Sequence, residues 1–389
     1  MKLKHGLHLA YCTNIHRGET WAQTFDTLRI HTLAVRDRVA AGQPYAIGLR
    51  LGDQASRELS EPATLLDFQR WLDRENCYIF TINGFPYGVF HGGRVKEQVY
   101  APDWTTDERV VYTNRLFDLL AQLVPHGVSG SVSTVPLSFK RFITNEAQVH
   151  AMRRQVWRTV EHVAELSERS GKVLHLGLEP EPLCTLETTQ EAVHFFETLR
   201  QDHPNDARLD RHLGINYDAC HLAVEYENPQ EALGLLKQNG IKISKLHFSS
   251  ALKVRPNQER RQALRAFVDT VYFHQVIERL GTGPLKRYLD LDVALAEAPD
   301  FPESMLPEWR IHFHIPLHSS PTSLFETTAD HLQGVMDVLQ KDPTLCEHIE
   351  METYTWEVLP GEIKKRNVVD QLVAEYEWTL NELQSRNLA

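Results

Sequence analysis

The chain of 389 residues is 42% hydrophobic and 24% charged, which is ordinary for a globular fold and enough to bury a large core. A net charge of −11 supplies no basic footprint for a nucleic-acid backbone, and no apolar run is long enough to span a bilayer. The cysteines, Cys12, Cys77, Cys184, Cys220 and Cys346, form no CxxC pair, and the N-terminus lacks a long apolar segment, so the expectation is a reduced, cytoplasmic protein.

Apolar segments of period two recur along the chain, each followed by a longer helical pattern. Strands are predicted over 6–11, 45–51, 77–83 and 130–135, with helices behind them over about 19–41, 64–75, 106–123 and 146–170. The third strand runs into Asn83-Gly-Phe-Pro-Tyr-Gly88, a turn-rich loop, and its helix is delayed across a segment holding His91, Lys96 and Trp104. The fifth strand, Leu174 to Leu178, stops at Glu179-Pro-Glu-Pro182, because proline cannot continue a central ladder. Its helix covers 189–201. Strands over 212–218 and 241–249 follow, separated by a short helix over 229–239. Then the rhythm breaks. Residues 250–308 hold a helical pattern over 259–280, a Gly-Thr-Gly-Pro turn and a proline-rich run. Residues 310–316 read as an insertion strand or extended loop, 348–354 as the last strand and 369–386 as a terminal helix. Eight strand–helix units predict an α/β fold, one (β/α)8 TIM barrel over residues 1–389, with an insertion after the seventh strand at about 250–308. An open sheet is the weaker reading, since there is no GxGxxG after the first strand and no P-loop.

Four strands end in side chains that can ligate a metal. Glu179 ends the fifth. Asp218 ends the sixth, on the face of Gly214 and Asn216, with His221 three residues on. His247 lies opposite Leu246 and Phe248 on the seventh, and Glu350 and Glu352 lie opposite Ile349 and Met351 on the last. A barrel converges such groups at its mouth. Each alone reads equally as a solvated rim residue, but several carboxylates buried together are costly without a cation. The oxygen and nitrogen donors suit Mn²⁺, Mg²⁺, Co²⁺ or Zn²⁺.

Glu350 lies deeper than Glu352 and is expected to orient a ligand, whereas Glu181, flanked by prolines, is expected to lean away from the barrel axis. Asn14, His16, Asn83, His91 and Lys96 follow the first and third strands and are candidates for a substrate pocket, with loop capping as the alternative. Phe85, Tyr87, Trp104 and Trp356 are candidates for stacking on a substrate, with core packing as the alternative.

Glu179 within Leu-Glu-Pro, Asp218-x-x-His221, His247 and Glu352 resemble the metal-binding set of the xylose isomerase-like TIM barrels. These include sugar isomerases, ketose 3-epimerases, inosose-processing enzymes and endonuclease IV-type AP endonucleases. A closer resemblance, to EboE-type metabolite traffic proteins, rests on Tyr11-Cys-Thr-Asn-Ile-His16, Asn83-Gly-Phe-Pro-Tyr-Gly88, Leu178-Glu-Pro-Glu-Pro182, His312-Phe-His-Ile-Pro316 and Glu352-Thr-Tyr-Thr-Trp356. The resemblance implies Glu179, Asp218, His247 and Glu352 as ligands of a divalent ion, Glu179 and Glu352 as proton carriers, and His221 as a substrate contact. In endonuclease-like members the position of His221 serves a second metal. His312-x-His314 stands where those enzymes have an Asp-x-His pair on a further zinc, a hydrogen-bonded pair inside the insertion being the other reading. The expectation is a metal-dependent isomerase or epimerase of a small sugar-like polyol or carbonyl metabolite. A multinuclear-zinc phosphoesterase and a non-catalytic metabolite binder are the alternatives.

Overall fold

The computed structural model describes residues 1–91, 95–355 and 366–389. Seven strands alternate with helices: β1 (His8–Tyr11), β2 (Tyr45–Arg50), β3 (Cys77–Asn83), β4 (Gly130–Thr134), β5 (Leu174–Leu178), β6 (Leu213–Asp218) and β7 (Lys242–Phe248). Five short strands follow: β8 (Leu252–Val254), β9 (Val276–Arg279), β10 (Lys286–Tyr288), β11 (Glu308–Ile311) and β12 (Glu326–Thr327). Then comes β13 (His348–Met351). β13 and β1 to β7 pair in the order β1-β13-β7-β6-β5-β4-β3-β2, and every pair is parallel. A parallel bridge between Cys12 and Gly48 joins the two ends, so the eight parallel strands form a nearly closed (β/α)8 barrel.

The strands are buried on both faces, as parallel strands under crossover helices must be. On β5, Leu174, Leu176 and Leu178 join the hydrophobic core, while the alternate set, His175, Gly177 and Glu179, faces the barrel axis. The helix Glu146–Ser170 shows how the outer layer is set locally. Asn145 accepts from the Gln148 N–H at its start, Val156, Val160 and Val163 are buried, and Gly171 ends it at φ +67.

Imidazoles paired with hydroxyls fill the amino end of the barrel. The Nδ1 atoms of His8, His348 and His175 lie 2.8, 2.8 and 2.6 Å from the hydroxyls of Tyr78, Ser131 and Ser244. Burial pushes all three imidazoles below their ordinary value, which keeps them neutral. Further along the axis, Lys245 and Glu350 form an ion pair of 2.6 Å with neither side chain exposed.

The insertion differs from its sequence reading. The helical pattern over 259–280 yields a helix only at Gln258–Leu264, a 3-10 turn at Arg265–Phe267, and then β9. β8 to β12 form an antiparallel sheet in the order β10-β9-β11-β8-β12, so the inserted structure continues past residue 308 to β12. Of residues 310–316, only Arg310 and Ile311 are strand, the end of β11. The helix Ala329–Lys341, which the sequence reading did not assign, leads back to β13. No helix among the described residues is long and apolar enough to cross a membrane.

Glu350 depends on a missing side chain. A Cβ at Gly48 would meet Glu350 Oε1 at 2.0 Å and the Tyr11 carbonyl at 2.6 Å. Gly48→Ala is therefore expected to cost about 1–3 kcal/mol by overpacking. Urea unfolding should show a lower midpoint at unchanged slope, and an unchanged midpoint would mean that Glu350 does not fill that space.

Candidate functional site

Four groups meet at the carboxyl end of the barrel. Each of Glu179, Asp218, His247 and Glu352 offers a ligand atom within 4.8 Å of the others, and all four residues are buried. Their orientations are fixed from outside the cluster. Asp218 caps the helix Ala219–Val224, its Oδ1 accepting from the His221 N–H (2.9 Å) and the Ser249 hydroxyl (2.7 Å). Glu352 Oε1 accepts from the side-chain amides of Asn14 (2.8 Å) and Asn83 (3.2 Å). Glu350 Oε2 takes the Nε2 end of His247 at 2.8 Å, so Nδ1 is the ring atom turned to the cluster. From Nδ1 the distances to Glu179 Oε1, Asp218 Oδ2 and Glu352 Oε2 are 3.0, 3.4 and 3.3 Å.

The electrostatics match a place for a cation. Burial pushes the His247 imidazole down, but Glu352 and Glu179 hold it well above its ordinary value. Burial pushes Asp218 up, yet the imidazoles of His221, His314 and His247 hold it well below. Lys245 and His247 likewise overcome burial at Glu350 and bring it to about 2. Glu179 Oε2 and Asp218 Oδ2 are buried with no hydrogen-bond partner. An unpartnered buried carboxylate oxygen is costly, and a divalent ion would satisfy both. The donor set fits such an ion.

Above these groups lies a cavity of about 50 Å³. Asn14, Asn83, Glu179, His221 and Glu352 line it, as do Lys96, Phe85 and His312. Lys96 is ion-paired with Asp290. His91 sits behind the lining, bonded to the Asn14 carbonyl (2.6 Å) and the Tyr272 hydroxyl (2.5 Å). His16 lies between the Tyr11 hydroxyl (2.9 Å) and the stacked ring of His31 and does not line the cavity. Trp104 is a core residue, its indole N–H donating to the Val135 carbonyl, and Tyr87 packs on Tyr112. Trp356 lies outside the described residues.

Glu181 corrects its sequence reading. It does not lean outward. Two residues beyond Glu179, it falls on the same side and lines the same cavity. Tyr100 donates to its Oε1 at 2.6 Å and Gln275 at 3.4 Å, and burial pushes it up to about 7. The i, i+2 spacing is the sequence signal for this, and the flanking prolines obscure it. Tyr100, Tyr272 and Gln275 carry no local sequence signal, the last two because they fall inside the apparent helical pattern over 259–280.

His312 and His314 are brought next to the four-residue cluster. Burial holds both imidazoles below the ordinary value. Each Nδ1 faces an oxygen acceptor, Gln275 Oε1 for His312 (2.8 Å) and the Glu352 carbonyl for His314 (3.1 Å), so each Nδ1 carries the proton. The two Nε2 atoms are therefore without a proton; they lie 3.2 Å apart, and the Tyr354 hydroxyl stands 3.4 Å from that of His312. Asp218, His221 and His314 form a second group of close donors, and Cys220, His312 and His314 a third.

No protein-family model matches the chain, and no curated protein sequence does. Solved structures do. The IOLI protein with a bound zinc atom aligns over 98% of this chain and 99% of its own at 14% identity and a TM-score of 0.50. A xylose isomerase domain protein from Planctomyces limnophilus aligns over 91% and 92% at 14% identity and 0.50. An L-ribulose 3-epimerase aligns over 99% and 96% at 12% identity and 0.50. At such identities the likeness is one of fold, and the fold is that of the xylose isomerase-like TIM barrels.

Behind the site, Glu375 of the helix Val368–Ser385 accepts from the Thr353 hydroxyl (2.7 Å) and the Leu317 N–H (3.1 Å). Burial pushes it from 4.5 up to about 7. A carboxyl raised by folding favours the fold where it is protonated, so its contribution is present below about pH 4.5 and lost as pH rises through 7. Glu375→Gln should thus stabilise the protein at pH 8 by on the order of 2–3 kcal/mol and change little at pH 5. Denaturation midpoints at the two pH values test this, and equal shifts at both would refute it.

Proposed function

We propose that this barrel is a metal-dependent isomerase or epimerase acting on a small sugar-like polyol or carbonyl metabolite in the cytoplasm. The observation that carries the reading is the set Glu179, Asp218, His247 and Glu352 at the ends of β5, β6, β7 and β13, with two carboxylate oxygens unpartnered. The L-ribulose 3-epimerase among the similar structures supports the reaction class, and the zinc of the IOLI protein supports a divalent ion. The motifs shared with EboE-type proteins support a role in metabolite traffic.

The bound ion, Mn²⁺, Mg²⁺, Co²⁺ or Zn²⁺, would be held by those four residues and would polarise adjacent substrate oxygens as a Lewis acid. Glu352, oriented at Oε1 by two asparagines, would take a proton from the substrate carbon, and Glu179 would give one back. His221 lines the cavity, its Nδ1 fixed on the Pro180 carbonyl at 3.0 Å, and orients a substrate hydroxyl.

A second reading, a multinuclear-zinc phosphoesterase, draws on the unprotonated Nε2 atoms of His312 and His314 and the two further donor groups. Metal analysis separates the two. One divalent ion per chain is expected, and two or more tightly held zinc ions would favour the phosphoesterase. The proton carriers have their own test. Mn²⁺-loaded protein in D2O, given a panel of ketoses and inososes, should exchange the proton beside the carbonyl. Glu352→Gln should slow that exchange by about 10²–10⁴-fold with metal retained, and unchanged exchange would remove Glu352 from the role.

A further inference from the structure

We infer that the amino end of the barrel carries a second site, which takes the oxyanion group of a small metabolite, a phosphate or a carboxylate. It lies at the opposite end of the strands from the proposed metal ligands, and the inference does not depend on the metal-dependent reading.

The cavity is the first observation. About 350 Å³ of space opens where β4, β5, β7 and β13 begin, which is room for a small ligand. All of its lining residues fall within the described span 95–355. It shares no lining residue with the carboxyl-end cavity. On β13 the buried Glu350, paired with Lys245, separates His348 on this wall from Glu352 on the other.

Charge is the second. Lys242, the first residue of β7, is half-buried and lines the cavity, and its ammonium has no hydrogen bond or ion pair among the described residues. Lys172, on the same wall, donates to the carbonyls of Ala121 (2.7 Å) and Val124 (2.6 Å). Those carbonyls hold its ammonium in place, and no carboxylate neutralises it. Glu347 is the one carboxylate of the lining, accepting from the Ser129 hydroxyl at 2.7 Å. Two ammonium groups therefore face one carboxylate, in a chain whose net charge is −11.

Direction is the third. His175 packs by one edge, its Nδ1 lying 2.6 Å from the Ser244 hydroxyl. Its Nε2 has no partner among the described residues, and the residue lines the cavity. Burial and the nearby Lys242 push the ring down to about 3, so it is neutral. With Ser244 donating to Nδ1, the ring carries its proton on Nε2 and can donate it to an anion. A cation would meet the two ammonium groups, and an apolar group would strip water from lysine and serine without replacing it. An oxyanion accepts from both Lys242 and His175.

Calorimetry on the full chain as purified, at pH 8 with inorganic phosphate and acetate as separate probes, tests the inference. Saturable binding is expected. Phosphate alone would assign a phosphate group, acetate alone a carboxylate, and both an oxyanion of either kind. Lys242→Met should weaken the binding by about 10-fold or more, and Lys242→Arg should retain it. Lys242→Gln serves if the methionine variant fails to fold. Lys237→Met removes an equal charge from an exposed pair with Asp342 and should leave the affinity unchanged. An anion held by a metal ion at the carboxyl end would be untouched by the Lys242 substitutions, so unaltered binding in them overturns the inference. Absence of saturable binding by either probe overturns it too, as does an equal loss in Lys237→Met.

Discussion

Buried acid without matching base is the constraint on which this barrel is built. Glu179, Asp218, Glu350 and Glu352 lie inside it at 4% exposure or less, against one lysine, Lys245, and the imidazoles of His247 and His221. Lys245 is committed to Glu350 in a pair with no exposure on either side. Breaking such a pair by removing one partner costs about 3–5 kcal/mol, so it is a fixed point of the interior. Space for it is made by the absent side chain of Gly48 and the small one of Ala10, which stands opposite Glu350 in the register of β1 and β13. Glu350 in turn holds Nε2 of His247. What remains is an excess of negative charge at the mouth, shared through Nδ1. A proton on His247 and the proposed divalent cation would compete for that one place, which would tie ion affinity to pH.

The same residue type is used in opposite ways at the two ends of the barrel. Twenty histidines are present, and several recur at alternate positions, His348, Glu350 and Glu352 following one another along a single face. At the amino end the imidazoles of His8, His175 and His348 meet hydroxyls, stay neutral and act as packing. At the carboxyl end His247 meets carboxylates, which hold its imidazole well above its ordinary value. Depth along the strand, rather than residue type, decides the chemistry. Conserving the period-two alternation through His348, Glu350 and Glu352 lets one strand serve both ends.

That alternation is also why the barrel and its ligand positions are legible in the sequence. Apolar and polar side chains separate cleanly on β5, β6, β7 and β13, and each strand stops where its polar end group stands. The insertion gives no such signal. Leu264, Val268, Tyr272, Val276 and Leu280 recur every fourth residue, a helical period, yet Val268 and Leu280 are exposed and Val276 belongs to a strand of four residues. Strands of two to four residues are too short to display a period, so the sheet of β8 to β12 could not be read from pattern alone. Glu181 was misread for a different reason. Proline breaks a hydrogen-bond ladder but leaves the chain extended, and an extended chain keeps Glu179 and Glu181 on one side. Gln275, Tyr100 and His312 meet only through tertiary contact, and nothing local in the sequence links them.

The insertion belongs to the site because of where the chain leaves the barrel. It departs after β7, which carries His247, and returns to β13, which leads into Glu352, so its two roots flank a pair of proposed ligands. It is then tied to the loops of the other two. Arg287 of β10 bonds Glu187 at 2.7 Å, beyond β5, and also pairs with Glu225, beyond β6, while the Tyr226 hydroxyl donates to the Glu308 carbonyl at 2.7 Å. The loop after β3 joins as well, the N–H groups of Val95 and Lys96 both reaching the Val271 carbonyl at 2.9 Å. Every strand that ends in a proposed ligand is thereby connected to one added sheet, and the segments beside β9 and β11 bring Tyr272, Phe273 and His312 to the cavity. The barrel strands position the donors, and the insertion builds one wall of the cavity above them.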